Sequence, residues 1–210
     1  MEKIDLKKQW KELYSASAKD VQIVQVPALN RLAVDGCGNP NSAPAYQEAM
    51  EALYSLSYTL KFMHKQRPNG TDYTVMPLEG LWWVPNMAEF SLENKDAWQW
   101  TALIVQPDFV TADDLQLAIQ QLQRKGKDPA VLERARLERV EEGLAVQIMH
   151  LGPYADEAPT IARLHAFIAE QGFLLSGKHH EIYLGDPRRT APEKLKTIIR
   201  QPMHRPTPQF

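Results

Sequence analysis

A chain of 210 residues, 44% apolar and 24% charged, can bury enough surface for one large domain or two small modules sharing a core. A formal charge of −2 lacks the basic excess of a nucleic-acid surface and the strong acidity of a disordered or DNA-mimicking chain. The lone cysteine, Cys37, excludes an internal disulfide and a cysteine-rich zinc site, and no apolar run reaches the roughly 18 residues of a membrane span.

Residues 4–14 read as a short helix with Leu6, Trp10, Leu13 and Tyr14 on one stripe. This N-terminal stretch is charged and has no apolar secretion core, so a cytosolic location is expected. VQIVQV (21–26) and RLAVDG (31–36) read as two strands of a hairpin linked through Pro27–Asn30. Cys37 then sits in a turn-like Asp35-Gly36-Cys37-Gly38 and reads as a small, half-buried residue. After a loop at 38–44, Asn41 or Ser42 is placed to cap a helix over 44–65, whose apolar stripe runs from Tyr46 to Met63. Tyr54, Tyr58 and Phe62 form a second stripe on that helix, and Tyr58 is carried forward as a candidate ligand contact.

Strands are expected near 73–84 and 98–106, separated by an irregular acidic insert, and Thr111-Ala-Asp-Asp opens a helix over 112–125 with a capping box. The pattern then returns. ARLERV (135–140) and GLAVQIMHL (143–151) read as a second hairpin, followed by a loop (152–159), a helix near 159–171 and strands at 179–184 and 195–201. Residues 203–210 read as a frayed tail. Each half therefore runs hairpin, loop, helix, strand, strand, which reads as a duplication. The expected fold is α+β: two pseudo-symmetric modules, each an antiparallel sheet with one covering helix, forming a curved sheet with a central groove. On this reading residues 1–20 are an extension and 21–202 a single domain of two repeats, about 21–107 and 135–202. A helical segment at 108–134 links them.

In HHEIYL (179–184) side chains alternate, so His179, Glu181 and Tyr183 share one face while His180, Ile182 and Leu184 share the other. Ile182 and Leu184 are expected to pack on the helix, which turns Glu181 to the uncovered face and the groove. A carboxylate in a half-dry groove is costly unless paired or protonated. The bland alternative is an exposed strand acid, or one paired with Arg188, Arg189 or Arg200. Four of the five tryptophans, Trp82, Trp83, Trp98 and Trp100, fall within residues 82–100. Trp82 and Trp83 must face opposite ways, so one packs on the helix and the other lines the groove. Rings around a carboxylate suit a flat aromatic or cationic ligand, although tryptophans also simply fill cores. Tyr154 in HLGPY (150–154) can project its hydroxyl over the groove, or pack locally in its turn. His179 and His180 point to opposite strand faces and no His-x-x-x-His spacing occurs, so no metal site is expected. Absence of P-loop, G-x-G-x-x-G and G-x-S-x-G patterns argues against common nucleotide binding and serine hydrolysis, and no cofactor is implied.

EGLWW (79–83), HLGPY (150–154) and HHEIYLGDPRR (179–189), set in the duplicated pattern over about residues 20–202, resemble the GyrI-like small-molecule-binding superfamily, related to the effector-binding domains of AraC-type regulators. The resemblance implies a pseudo-twofold fold with a central ligand groove and a groove-facing acid on a late strand, here Glu181; the tyrosine of its GPY turn matches Tyr154. It implies a planar aromatic or cationic small molecule as partner. Direct DNA binding is not expected, because about 20 residues before the first strand are too few for a helix-turn-helix. Stand-alone members are similar to hydrolases that open the cyclopropane of cyclopropyl-quinone compounds. On that pattern Glu181 deprotonates or orients water and Tyr154 polarises the carbonyl, with a protonated Glu181 as the other possible donor. Trp82, Trp83, Trp98, Trp100, Tyr183, His179 and Tyr58 are the expected ligand contacts. The alternative function is a drug-sequestering or sensor protein that binds without catalysis.

Overall fold

The computed structural model of the chain describes residues 3–87, 90–91 and 94–206. The part of the expected tail at 207–210 lies outside the described residues, and the rest does not fray: the last long strand runs on through His204.

The element order is α1 (Leu6–Gln9), α2 (Lys11–Tyr14), β1 (Gln22–Cys37), α3 (Pro44–Gln66), β2 (Leu78–Trp83), β3 (Gln99–Val105), α4 (Ala112–Arg124), α5 (Pro129–Leu132), β4 (Arg136–Leu151), α6 (Ala158–Glu170), β5 (Leu174–Leu175), β6 (His179–Tyr183) and β7 (Lys196–His204). The fold is mixed α+β. Six strands in the order β4-β1-β3-β2-β6-β7 close on themselves through a β4–β7 ladder, giving a barrel-like, strongly curved antiparallel sheet; β5 pairs only with β7. None of the described helices is long and apolar enough to cross a membrane.

Neither expected hairpin forms. β1 and β4 are single strands of 16 residues each, antiparallel to one another from Gln22↔Gln147 to Ala33↔Arg136 with an unbroken register. Pro27 is the residue that suggested a turn. It has no N–H to give, and its rung, opposite Glu142, is the one missing from that ladder. The site tolerates it because β3 borders β1 only from Arg31 onward, so Pro27 lies where β1 has a free edge.

Pro44 at the first turn starts α3, with Ala43 as a cap that lends no side-chain bond; Asn41 and Ser42 do not serve. Thr111 and Asp114 form the expected capping box of α4. The N-terminal stripe folds as two short turns rather than one helix, broken at Trp10. Strand β2 starts at Leu78 rather than near 73, and Tyr73 instead bridges Ile4 in parallel.

Residues directly opposite in a ladder share a face. One row reads Val34–Ala102–Gly80–Glu181–Ile199–Ile148, with Gly36–Trp100–Trp82–His179 beside it. This face meets α3 and α6. Tyr46 of α3 touches Trp82 and Trp100, and Ile161, Leu164 and Ile168 of α6 pack on Ile148 and Ile199. The opposite face, with Glu79, Leu81, His180, Ile182 and Arg200, points into the curl of the sheet, where Leu13 and Tyr14 of α2 cover it.

Candidate functional site

Glu181 lies on the helix-facing side of β6, and Ile182 on the inward side, the reverse of the assignment expected from the sequence. Alternation correctly groups His179, Glu181 and Tyr183; it cannot say which side of the sheet the helices occupy. Because α3 packs on β1 and β3 while α6 packs on β4 and β7, the middle strands β2 and β6 lie between the two helices, and the region over them is the candidate cleft.

Glu181 is 6% exposed. Its Oε1 meets His179 Nε2 at 3.1 Å and its Oε2 accepts the Tyr183 hydroxyl at 2.7 Å. Arg188 instead holds Asp186, and Arg200 lies on the inward face with Glu142. Burial pushes the Glu181 carboxyl up, but the bonds and charge of His179, with the Tyr183 hydroxyl, outweigh it and hold the group below the ordinary carboxylate range. Its neighbour is Glu157, which opens α6 without capping it, so its side chain is free to turn into the cleft. Burial, then the charge of Glu181, pushes Glu157 up to about 9. Oε1 of Glu157 and Oγ1 of Thr197 meet no partner at hydrogen-bond geometry. The surroundings thus push the two carboxyls in opposite directions, Glu157 toward the neutral acid and Glu181 toward the anion.

HLGPY positions Glu157 and Tyr154. His150 Nε2 donates to the Pro153 carbonyl at 3.2 Å, leaving Nδ1 to accept from the Thr160 hydroxyl of α6 at 3.0 Å, and Gly152 takes φ +128° at the corner. The Tyr154 ring meets Tyr183 edge-on, 5.4 Å between centroids. Burial and the nearby Glu157 and Glu181 push its phenol up to about 12, so it stays a donor.

EGLWW supplies the aromatic wall. The Trp82 indole lies across Gly80, where a Cβ would come within 2.9 Å of it, and Gly80 is the residue opposite Glu181. Trp98 contacts Trp82 at 5.3 Å and stacks on Phe90 at 5.0 Å, and Phe90 reaches His179 at 5.9 Å. Trp100 shares this face but is fully buried under Tyr46 and across Gly36, so it acts as core beneath the wall. Trp83 faces the other way, with the Lys178 ammonium 3.2 Å from its ring centroid, and Tyr58 stands 49% exposed on α3; neither joins the cleft. Sequence reasoning passed over Glu157, Tyr46, Phe90 and Lys95. An acid at a helix start with Pro159 two residues on reads as a solvated cap, and only coordinates show that it does not cap.

Buried polar atoms without partners gather here: Nε1 of Trp82 and Trp100, Oε1 of Glu157, Nε2 of His165, Nδ1 of His179 and Oγ1 of Thr197. Among the described residues no group of three or more His, Cys, Asp or Glu could hold a metal ion.

The GyrI-like small molecule binding domain family matches residues 19–203. No curated protein matches the chain. An uncharacterized conserved protein from Listeria innocua superposes with a TM-score of 0.88 at 41% identity, covering 96% of this chain and 100% of that one. A hydrolase from Listeria innocua superposes at 0.85 with 40% identity, covering 97% and 100%. The EcmrR C-terminal domain, at 14% identity and a TM-score of 0.53 over 89% of this chain and 98% of that one, shares the fold.

Proposed function

This chain belongs to the GyrI-like small molecule binding domain family, and from that premise we propose that the cleft around Glu181 binds a planar, electrophilic small molecule and adds water to it. The observation that carries the reading is the pair of buried carboxyls, Glu181 held by His179 and Tyr183 and Glu157 beside it, next to an aromatic wall. The hydrolase from Listeria innocua at 40% identity supports the reaction class. The duplicated architecture expected from sequence has support in the ladder order, since exchanging β1 with β4, β2 with β6 and β3 with β7 leaves it unchanged.

For a cyclopropyl quinone the chemistry balances within the pair. Glu181 takes a proton from water as the water oxygen bonds to the strained ring carbon. The cyclopropane C–C bond breaks, and its electron pair flows through the dienone to the carbonyl oxygen. That oxygen, held by the Tyr154 hydroxyl, takes the proton of Glu157 and becomes a phenol. Passage of the new proton from Glu181 to Glu157 resets the site. Neutral substrates gain affinity from ring contact with Trp82, Trp98 and Phe90.

The test is incubation with a cyclopropyl-quinone compound and mass spectrometry for a ring-opened product one water heavier. Turnover past one equivalent is expected, and Glu181→Gln should lower kcat by roughly 100-fold or more while leaving much of the binding. A ligand bound but unchanged in the wild-type protein would make this a sequestering or sensing protein instead. Normal turnover in Glu181→Gln would remove Glu181 from the chemistry.

A further inference from the structure

We propose that Lys95 is a specificity residue: a cation built into the cleft, which makes it select neutral, acceptor-bearing planar rings and turn away planar cations. The inference rests on the reading of this cleft as a small-molecule site. Lys95 opens the short 3-10 turn Lys95–Ala97 at the end of the β2–β3 insert. Its Nζ stands 5.2 Å from the Trp98 ring centroid, where a ligand cation would otherwise sit. With Phe90 stacked on Trp98 and Trp82 against it, the protein's own groups engage the ring from several sides.

The Lys95 charge acts on both Glu157 and Glu181, so its ammonium is part of the electrostatics of this site. A neutral ring enters without adding charge to it. A planar cation must either displace the ammonium from Trp98 or lie beside it as an excess positive charge in a site largely cut off from water. The unmet atoms favour the same ligand class. The indole N–H of Trp82 can only donate, so it calls for a carbonyl or ether oxygen. Quinone-type rings carry such acceptors; aromatic cations without oxygen do not.

Tryptophan-fluorescence titrations with 1,4-naphthoquinone and with ethidium test this on the wild-type protein, Lys95→Met and Lys95→Arg, both changes lying on a partly exposed turn. Lys95→Met should tighten ethidium about tenfold and change naphthoquinone less than about threefold, while Lys95→Arg keeps the wild-type preference. Ethidium binding unchanged by Lys95→Met, or tightened equally by Lys95→Arg, would overturn the proposal. The hydrolase reading fails on a different measurement, absence of turnover, and that result would leave the ethidium comparison decisive.

Discussion

Glu157 and Glu181 are the same side chain pushed in opposite directions by different surroundings. Glu181 has two donors on its oxygens; Glu157 has burial and a neighbouring anion. The difference has a thermodynamic signature. A carboxyl whose folded pKa is raised to about 9 binds a proton in the native state that the unfolded chain has already released. Its contribution is therefore full below the ordinary carboxylate range and is lost as pH rises toward 9, at up to about 1.4 kcal/mol per unit. Glu157→Gln mimics the neutral acid, so the variant should hold its stability between pH 5 and 9 where the wild-type protein weakens, as urea midpoints at several pH values would reveal. At this scale the sequence carried half the site. Alternation grouped Glu181 with His179 and Tyr183, and the GPY turn led to Tyr154. Glu157 stayed hidden because its role depends on a chain reversal that brings the start of α6 over β6, which no local pattern encodes.

At the scale of elements, α2 is held by an ion cluster inside the sheet. Tyr14 donates to Glu79 at 2.8 Å, His180 bridges Glu79 and Glu142 at 2.9 and 3.0 Å, and Arg200 reaches Glu142 at 3.4 Å and the Leu13 carbonyl at 2.7 Å. Burial alone would lower the His180 pKa, but Glu142 and Glu79 raise it above the ordinary imidazole range. Its stabilisation is complete at acid pH and is lost as pH climbs through that raised value. Glu142 is held down to about 2, by His180 and Arg200 against burial, so its share is present above the ordinary carboxylate range and is lost as pH falls toward 2. Tyr14→Phe leaves a buried Glu79 oxygen unmet, which should cost roughly 1–3 kcal/mol and speed amide exchange in α2. Unchanged exchange there would mean that Leu13 packing alone holds the segment. This cluster was not legible beforehand. His180 falls on the face expected to pack on a helix, Arg200 reads only as a partner for Glu181, and nothing local marks Gln147 as buried; only closure of the sheet gathers the three together inside it. The two false hairpins have a similar origin. Pro27 and the Glu141–Glu142 pair carry turn composition, yet they sit side by side in one long ladder, the proline having dropped a single rung.

For the whole molecule, closure decides which parts open first. β2 and β6 each have a partner on both sides, whereas β5 is a two-residue edge with Leu174 and Leu175 about half exposed. Amides of β5 should exchange through local opening, and those of β6 only through global unfolding, measurable as a separation of their exchange free energies. Equal protection would mean that β5 belongs to the same cooperative unit. Helices and most strand positions were readable from periodicity, but closure was not, since β4–β7 and β2–β6 join residues far apart in sequence.

His180 and Glu181 are consecutive, yet each belongs to a separate charged assembly, so β6 is a partition one peptide thick between two compartments. Sliding it by a single position would drop the anion into the chamber behind and swing the imidazole out under the indoles, ruining both at once. Such a partition has only one setting, and a mutation that loosens either compartment should be felt in the other through the backbone they share.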